Sequence, residues 1–401
     1  MQRIARFASF GADAALTSGF GFVVVMLGAR SASVQDFGQF ALILAVVGAQ
    51  VPLAAFGFMT LVYGRAAARP GGAGRLLGSA TAIATLAGAA LYALTLLAFV
   101  GFGADTLALV YAGAGLRLLG AAGLIMTQEA MARHAVGEYL PVRVLSFTLA
   151  VGAASAAVIA EAPLAVLALI WGAESLLFTI VTALTFGRRR ARLSRRNRFR
   201  PYLAMAAPIA LQSVFVVIYL RFDQIYVGWR FGEAPLGLYA AAARLAEIGN
   251  IGFNVLILLV TPMIIRQMRA FGRLDRRAFM VFVGLAGLTF AAVGSASVIG
   301  GDVLALVFGP AYSAAASVLA VYLGSIFFVA AGAIGSRVLA AQGVSGAQAW
   351  SGVAGAVSNV VLSVVLGEVI GLEGVALATV VSYALATYIV WVSAIRFKGV
   401  A

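Results

Sequence analysis

The chain lacks cysteine and carries one histidine, His134, and one lysine, Lys398. Each scarcity closes off a class of function. Without thiols there are no disulfides, no thiolate nucleophile and no cysteine-bound metal. A lone imidazole cannot supply the paired histidines of a zinc motif. Charge is scarce as well. Only 10% of the 401 residues are Asp, Glu, Lys or Arg, against about 25% in an ordinary soluble domain. No G-x-x-x-x-G-K-[ST] segment occurs, so there is no phosphate cradle for ATP. Asp36-Phe37-Gly38 spells a kinase tripeptide but lacks every companion motif. No cofactor is expected.

What remains is apolar. Hydrophobic residues make up 63% of the chain, and stretches of spanning length recur from end to end. The pattern predicts an all-α polytopic membrane protein with twelve transmembrane helices. The expected spans lie at about 7–29, 37–60, 76–100, 105–127, 141–160, 163–186, 203–228, 236–264, 278–299, 314–341, 346–366 and 372–395. Basic residues precede the first span as they would a signal peptide, but its full spanning length and Asp13 predict a retained helix. No loop is long enough to hold a glycosyltransferase or polymerase site, so a membrane-embedded enzyme is disfavoured.

Charge then assigns sides. One set of alternate loops collects 22 basic residues, including Arg65, Arg69, Arg75, Arg133, Arg143, the run Arg188–Arg200, the run Arg266–Arg277, Arg396 and Lys398. The opposite set holds at most Arg30, Arg221 and Arg230. Positive residues stay in the cytoplasm, so both termini are expected inside. The Arg188–Arg200 run reads as a solvated linker touching anionic headgroups. It divides the chain into an N-terminal six-helix lobe over 1–186, a basic cytoplasmic linker over 187–202 and a C-terminal six-helix lobe over 203–401. Arg266, Arg269, Arg273 and Arg276 recur at helical spacing, as in an amphipathic helix at the interface.

The halves resemble each other. Phe37-Gly38-Gln39-Phe40-Ala41 matches Leu236-Gly237-Leu238-Tyr239-Ala240. Asp105-Thr106-Leu107-Ala108-Leu109-Val110-Tyr111 matches Asp302-Val303-Leu304-Ala305-Leu306-Val307-Phe308. The matches stand 199 and 197 residues apart, as expected for two six-span repeats in parallel orientation.

Ionisable residues inside hydrocarbon cost a few kcal/mol and so face a partner or a wet cavity. The candidates are Asp13, Arg117, Glu174, Arg221, Asp223, Arg244, Glu247 and Arg337, the last able to snorkel from a span end. Arg244, Glu247, Asn250 and Asn254 step by three, three and four residues and form one polar stripe on an apolar helix. The competing interpretation is a self-neutralising Arg244–Glu247 pair. That pair leaves the two amides unexplained, so the stripe is read as facing a cavity.

Three segments carry a family likeness: Gly28-Ala29-Arg30-Ser31 to Phe37-Gly38-Gln39-Phe40, Arg221-Phe222-Asp223-Gln224-Ile225 with Gly237-Leu238-Tyr239-Ala240-Ala241, and Phe308-Gly309-Pro310-Ala311-Tyr312 leading into Val318-Leu319. They resemble the polysaccharide flippases of the multidrug/oligosaccharidyl-lipid/polysaccharide exporter superfamily. The resemblance implies a V-shaped pair of six-helix lobes around a central cavity. It also implies movement of an undecaprenyl-pyrophosphate-linked glycan across the bacterial inner membrane by alternating access. A cationic cavity would receive the pyrophosphate and sugar. The residues placed there are Arg117, Arg221, Asp223, Arg244, Glu247, Asn250 and Asn254. Asp13 and Glu174 are the candidates for coupling to Na⁺ or H⁺. The expected partners are this lipid-linked glycan and membrane lipids, with no nucleic acid. The alternative is a multidrug or organic-cation antiporter of the same fold.

Overall fold

The computed structural model describes residues 2–68, 73–187, 199–271, 274–342 and 344–396. Some side chains within helices lie outside the description, among them those of Asn250 and Asn254, as does the arginine run over 188–198. Helices account for nearly all described residues. That follows from the solvent: a bilayer cannot satisfy backbone N–H and C=O groups, so a helix must satisfy its own. The chain divides into two compact units, Met1–Val214 and Phe215–Ala401.

Unit 1 opens with α1 (Gln2–Ser31) and α2 (Val34–Ala55). Ser33 caps α2 by accepting from the Asp36 backbone N–H, which satisfies one of the free donors at a helix start. Phe56 and Gly57 take positive φ and turn the chain into α3 (Phe58–Ala68). A Cβ at Gly57 would meet Ile209 and Ala210 at 2.8–2.9 Å, so glycine is required there twice over. Then come α4 (Gly74–Gly101), a stretch broken at Gly115 and Gly120 into α5 (Asp105–Ala114), α6 (Leu116–Leu119) and α7 (Ala121–Ala132), then α8 (Leu140–Ile159) and α9 (Leu164–Thr182). The core packs Phe58, Leu77, Ile125, Met126 and Phe178 around Tyr139. Gly113 and Gly172 bring α5 and α9 together backbone to backbone, as small residues do between membrane helices.

The unit boundary falls inside α10 (Phe199–Phe231). Unit 2 continues with α11 (Glu233–Phe271), α12 (Arg276–Phe308), a 3₁₀ turn over Pro310–Ala315, α13 (Ala316–Leu323), α14 (Ser325–Gln342), α15 (Ser345–Ile370) and α16 (Leu372–Arg396). Asp275 caps α12 by accepting from the Ala278 N–H. Ile257, Ile264, Ile334, Val338 and Val390 form part of a core that Trp391 packs against.

Eleven helical stretches among the described residues are long and apolar enough to cross a membrane, and each overlaps an expected span. The remaining expected span lies on α11, several of whose side chains lie outside the description. The count of twelve and the orientation of the termini are therefore readings of the sequence.

The internal repeat is visible in the elements. Helix α11 starts 199 residues after α2, and α16 starts 208 residues after α9. Thr179 donates to the Gly120 carbonyl and Thr387 to the Phe328 carbonyl, both at 2.8 Å and both across 59 residues. The first sequence match follows this register and the second does not. Asp105 opens α5, whereas Asp302 sits within α12, which runs without a break to Phe308. The counterpart of Asp105 is the start of the next stretch, at Pro310.

Candidate functional site

Unit 2 brings three of its charged residues together from two consecutive helices. Arg244 and Glu247 lie three apart on α11 and therefore share a face. Arg244 Nη1 reaches Glu247 Oε2 at 2.7 Å. Arg221, on α10, reaches the other oxygen, Oε1, at 3.3 Å. One carboxylate thus bridges two guanidiniums. The side chains are 21% exposed for each arginine and 33% for the glutamate, so the trio is only partly buried.

Asp223 lies two residues from Arg221 and points elsewhere, since successive helical residues diverge by about 100°. It is 1% exposed. Its oxygens accept from the Tyr239 hydroxyl at 2.9 Å, the Tyr322 hydroxyl at 3.4 Å and the Gln224 backbone N–H at 2.8 Å. The Tyr239 and Tyr322 rings meet edge to face at 6.0 Å. Asp223 therefore ties α10, α11 and α13 together. Asn250 and Asn254 continue the α11 sequence beyond Glu247; their side chains lie outside the description.

Unit 1 holds the other candidates. Arg143 on α8 sits between Asp13 of α1, at 3.4 Å, and Glu174 of α9, at 3.7 Å. Ser146 donates to Glu174 at 2.9 Å, and the Arg143 guanidinium lies 3.5 Å above the Phe178 ring. All three charged residues are buried, at 5–7% exposure. Arg117 lies on α6, its guanidinium 4.5 Å above the Trp171 ring. Arg337 is exposed on α14 and turns back toward its own Ala333 carbonyl.

Several participants were not singled out by sequence. Arg143 reads as a cytoplasmic flanking residue because it stands two residues into its span, yet it is the hub of the unit 1 triad. Tyr239 and Tyr322 are apolar by composition and act here through their hydroxyls. Asn359 and Ser363, fully buried four residues apart on α15, with Asn359 donating to Thr379 at 3.3 Å, form a polar seam on a helix whose one charged residue, Glu368, stands near its C-terminal end. The one available signal was an amide in mid-span.

The fold is that of a multi-pass helical membrane protein. Among solved structures, the chain is similar to an inward-facing multidrug resistance MATE family transporter of the MOP superfamily, with TM-score 0.74, 14% identity, and 94% of this chain and 93% of that one covered. It is also similar to the lipid II flippase MurJ in an inward closed conformation, with TM-score 0.68, 14% identity, and 98% and 86% covered. A third is a MOP superfamily transporter from Pyrococcus furiosus described as having a binding pocket of reverse polarity, with TM-score 0.69, 14% identity, and 98% and 96% covered. At that identity the likeness establishes the fold. No curated protein sequence matches the chain. The family described as polysaccharide biosynthesis protein matches residues 12–268, and the chain belongs to it.

Proposed function

We propose that the protein is a flippase that carries a lipid-linked oligosaccharide, an undecaprenyl-pyrophosphate-linked glycan, across the bacterial inner membrane by alternating access between the 1–186 and 203–401 lobes. The observation that carries this reading is the convergence of Arg221 and Arg244, partly exposed, on one point. Two guanidiniums at one place in a low-dielectric region bind a diphosphate by paired charge-assisted hydrogen bonds, and their fixed fork supplies geometry as well as charge. Asn250 and Asn254, on the same helix as Arg244, would offer the sugar amide hydrogen bonds. Asp223 acts as a positioning residue, holding α10 and α11 in register through Tyr239. Membership of a polysaccharide biosynthesis family supports the glycan.

A second reading, extrusion of organic cations coupled to H⁺ or Na⁺, is favoured by a different observation: in unit 1, two acids, Asp13 and Glu174, face a single arginine. The two readings part in one experiment. Arg221→Ala and Arg244→Ala, each inserted at normal levels, are expected to abolish glycan export and leave the lipid-linked precursor in the inner leaflet, with Lys rescuing only in part. Unchanged export in both variants, together with dye efflux lost in Asp13→Asn, would replace the flippase by the antiporter.

A further inference from the structure

We infer that Glu247 is a built-in counter-anion that sets which ligands the arginine pair accepts, admitting groups with two linked anionic centres and excluding single phosphates. The inference rests on the anion-site reading above and deepens it. Its basis is how the carboxylate is shared. Each oxygen of Glu247 takes a different guanidinium, Oε1 the one from Arg221 and Oε2 the one from Arg244. The side chain therefore occupies the position a bound anion would take.

Being tethered to the same helix as Arg244, Glu247 competes at high effective concentration. A free anion must overcome that competition and the repulsion of a nearby like charge. A single phosphate that takes one arginine leaves the other with Glu247, close to the new negative charge. A diphosphate has one phosphoryl group for each guanidinium and replaces both contacts together. Only then can the carboxylate swing away. The geometry permits the movement, because Glu247 is one-third exposed and its contact with Arg221, at 3.3 Å, is the longer and weaker of the two. Asp223 cannot take this part, being 1% exposed and engaged with hydroxyl and backbone donors. Selectivity here comes from a penalty imposed on every anion, offset only by one that satisfies both cations.

The test is calorimetry on the full-length protein in lipid nanodiscs, with inorganic pyrophosphate and inorganic phosphate as probes. The native protein should bind pyrophosphate at least about tenfold more tightly than phosphate. Glu247→Gln keeps the shape and removes the charge. It should tighten phosphate binding about tenfold or more and bring the two affinities together. Glu247→Asp, which keeps the charge, should keep phosphate excluded, and it stands as the control if the Gln variant fails to fold. If Glu247→Gln leaves the affinity ratio unchanged, or weakens pyrophosphate most, the counter-anion role is overturned. The anion site survives that result as long as Arg221→Ala and Arg244→Ala each lose pyrophosphate binding. If neither arginine change alters pyrophosphate binding, or if the native protein binds neither probe, the anion site itself falls and the role of Glu247 falls with it.

Discussion

One charged triad in each unit uses the same ingredients in opposite proportion. In unit 1 one arginine, Arg143, lies between two acids. In unit 2 one acid, Glu247, lies between two arginines. The settings differ as well: the unit 1 triad is 5–7% exposed, whereas the unit 2 side chains are one-fifth to one-third exposed. The underlying scaffold is shared, down to a threonine that donates to a carbonyl 59 residues earlier in each half. The two halves thus share this bond between helices and differ in their charged triads. A buried triad acts as a fastener, since each member needs the others. A partly exposed one is screened by its surroundings, so its members depend less on one another.

The largest effect that would break this comparison comes from deleting the central arginine. Arg143→Ala leaves Asp13 and Glu174 buried with their cation gone, which costs about 3–5 kcal/mol. Arg244→Ala, at a partly exposed site where Glu247 keeps Arg221, should cost about 1 kcal/mol or less. Thermal unfolding in detergent is expected to show a large drop for the first and little change for the second. The triple change Asp13→Asn, Arg143→Met and Glu174→Gln should recover most of the loss, because no charge is left uncompensated. Equal drops for Arg143→Ala and Arg244→Ala would dissolve the distinction between fastener and site.

A middle-sized effect sharpens it. Asp223 and Glu174 are both buried carboxylates, but Asp223 is held by hydroxyls and a backbone N–H, and Glu174 by Arg143 and Ser146. Tyr239→Phe removes the shorter hydroxyl bond to Asp223 and should cost about 1–3 kcal/mol. Ser146→Ala leaves Glu174 its arginine and should cost less, about 0.5–1 kcal/mol. The same unfolding assay reads both, and a greater loss at Ser146 would mean that Arg143 is not what holds Glu174.

How far these arrangements are legible in the sequence depends on how far apart their members lie. The spans are legible because hydrophobic length is a local property, and so is the Arg244–Glu247 pair, which helical spacing puts on one face. Arg221 joins that pair across 26 residues, and no periodicity reports it. The burial of Arg143 is not legible, because charge counting treats any arginine near a span end as a flanking residue, while its partner Asp13 stands 130 residues earlier. The Asp302 match failed for a different reason. Gly300 and Gly301 look like a helix end, yet α12 continues through them to Phe308 and the chain turns only at Gly309, where φ is positive. Asp223 was legible as a charge inside a span, but not its partners, because tyrosine counts as apolar until a carboxylate is seen to need its hydroxyl.

The smallest expected effect tests what the halves share. Thr179 and Thr387 each lie over a glycine of the helix they donate to, Gly123 and Gly332, where a Cβ would collide with the hydroxyl. Valine keeps the threonine shape and removes the donor, so Thr179→Val and Thr387→Val isolate the hydrogen bond. Such bonds between membrane helices average about 0.6 kcal/mol and reach about 1.7. The two are not quite equal. Thr179 has a single hydroxyl proton and lies 2.8 Å from both the Gly120 and the Ser175 carbonyls, so it divides its bond between a neighbouring helix and its own. Thr387 donates to the Phe328 carbonyl at the same distance, with its whole bond between helices. Thr387→Val should therefore lower the unfolding midpoint slightly more than Thr179→Val, and both far less than Arg143→Ala. A loss at Thr179 well above that at Thr387 would show that the matched 59-residue spacing is a likeness of geometry without a likeness of energy.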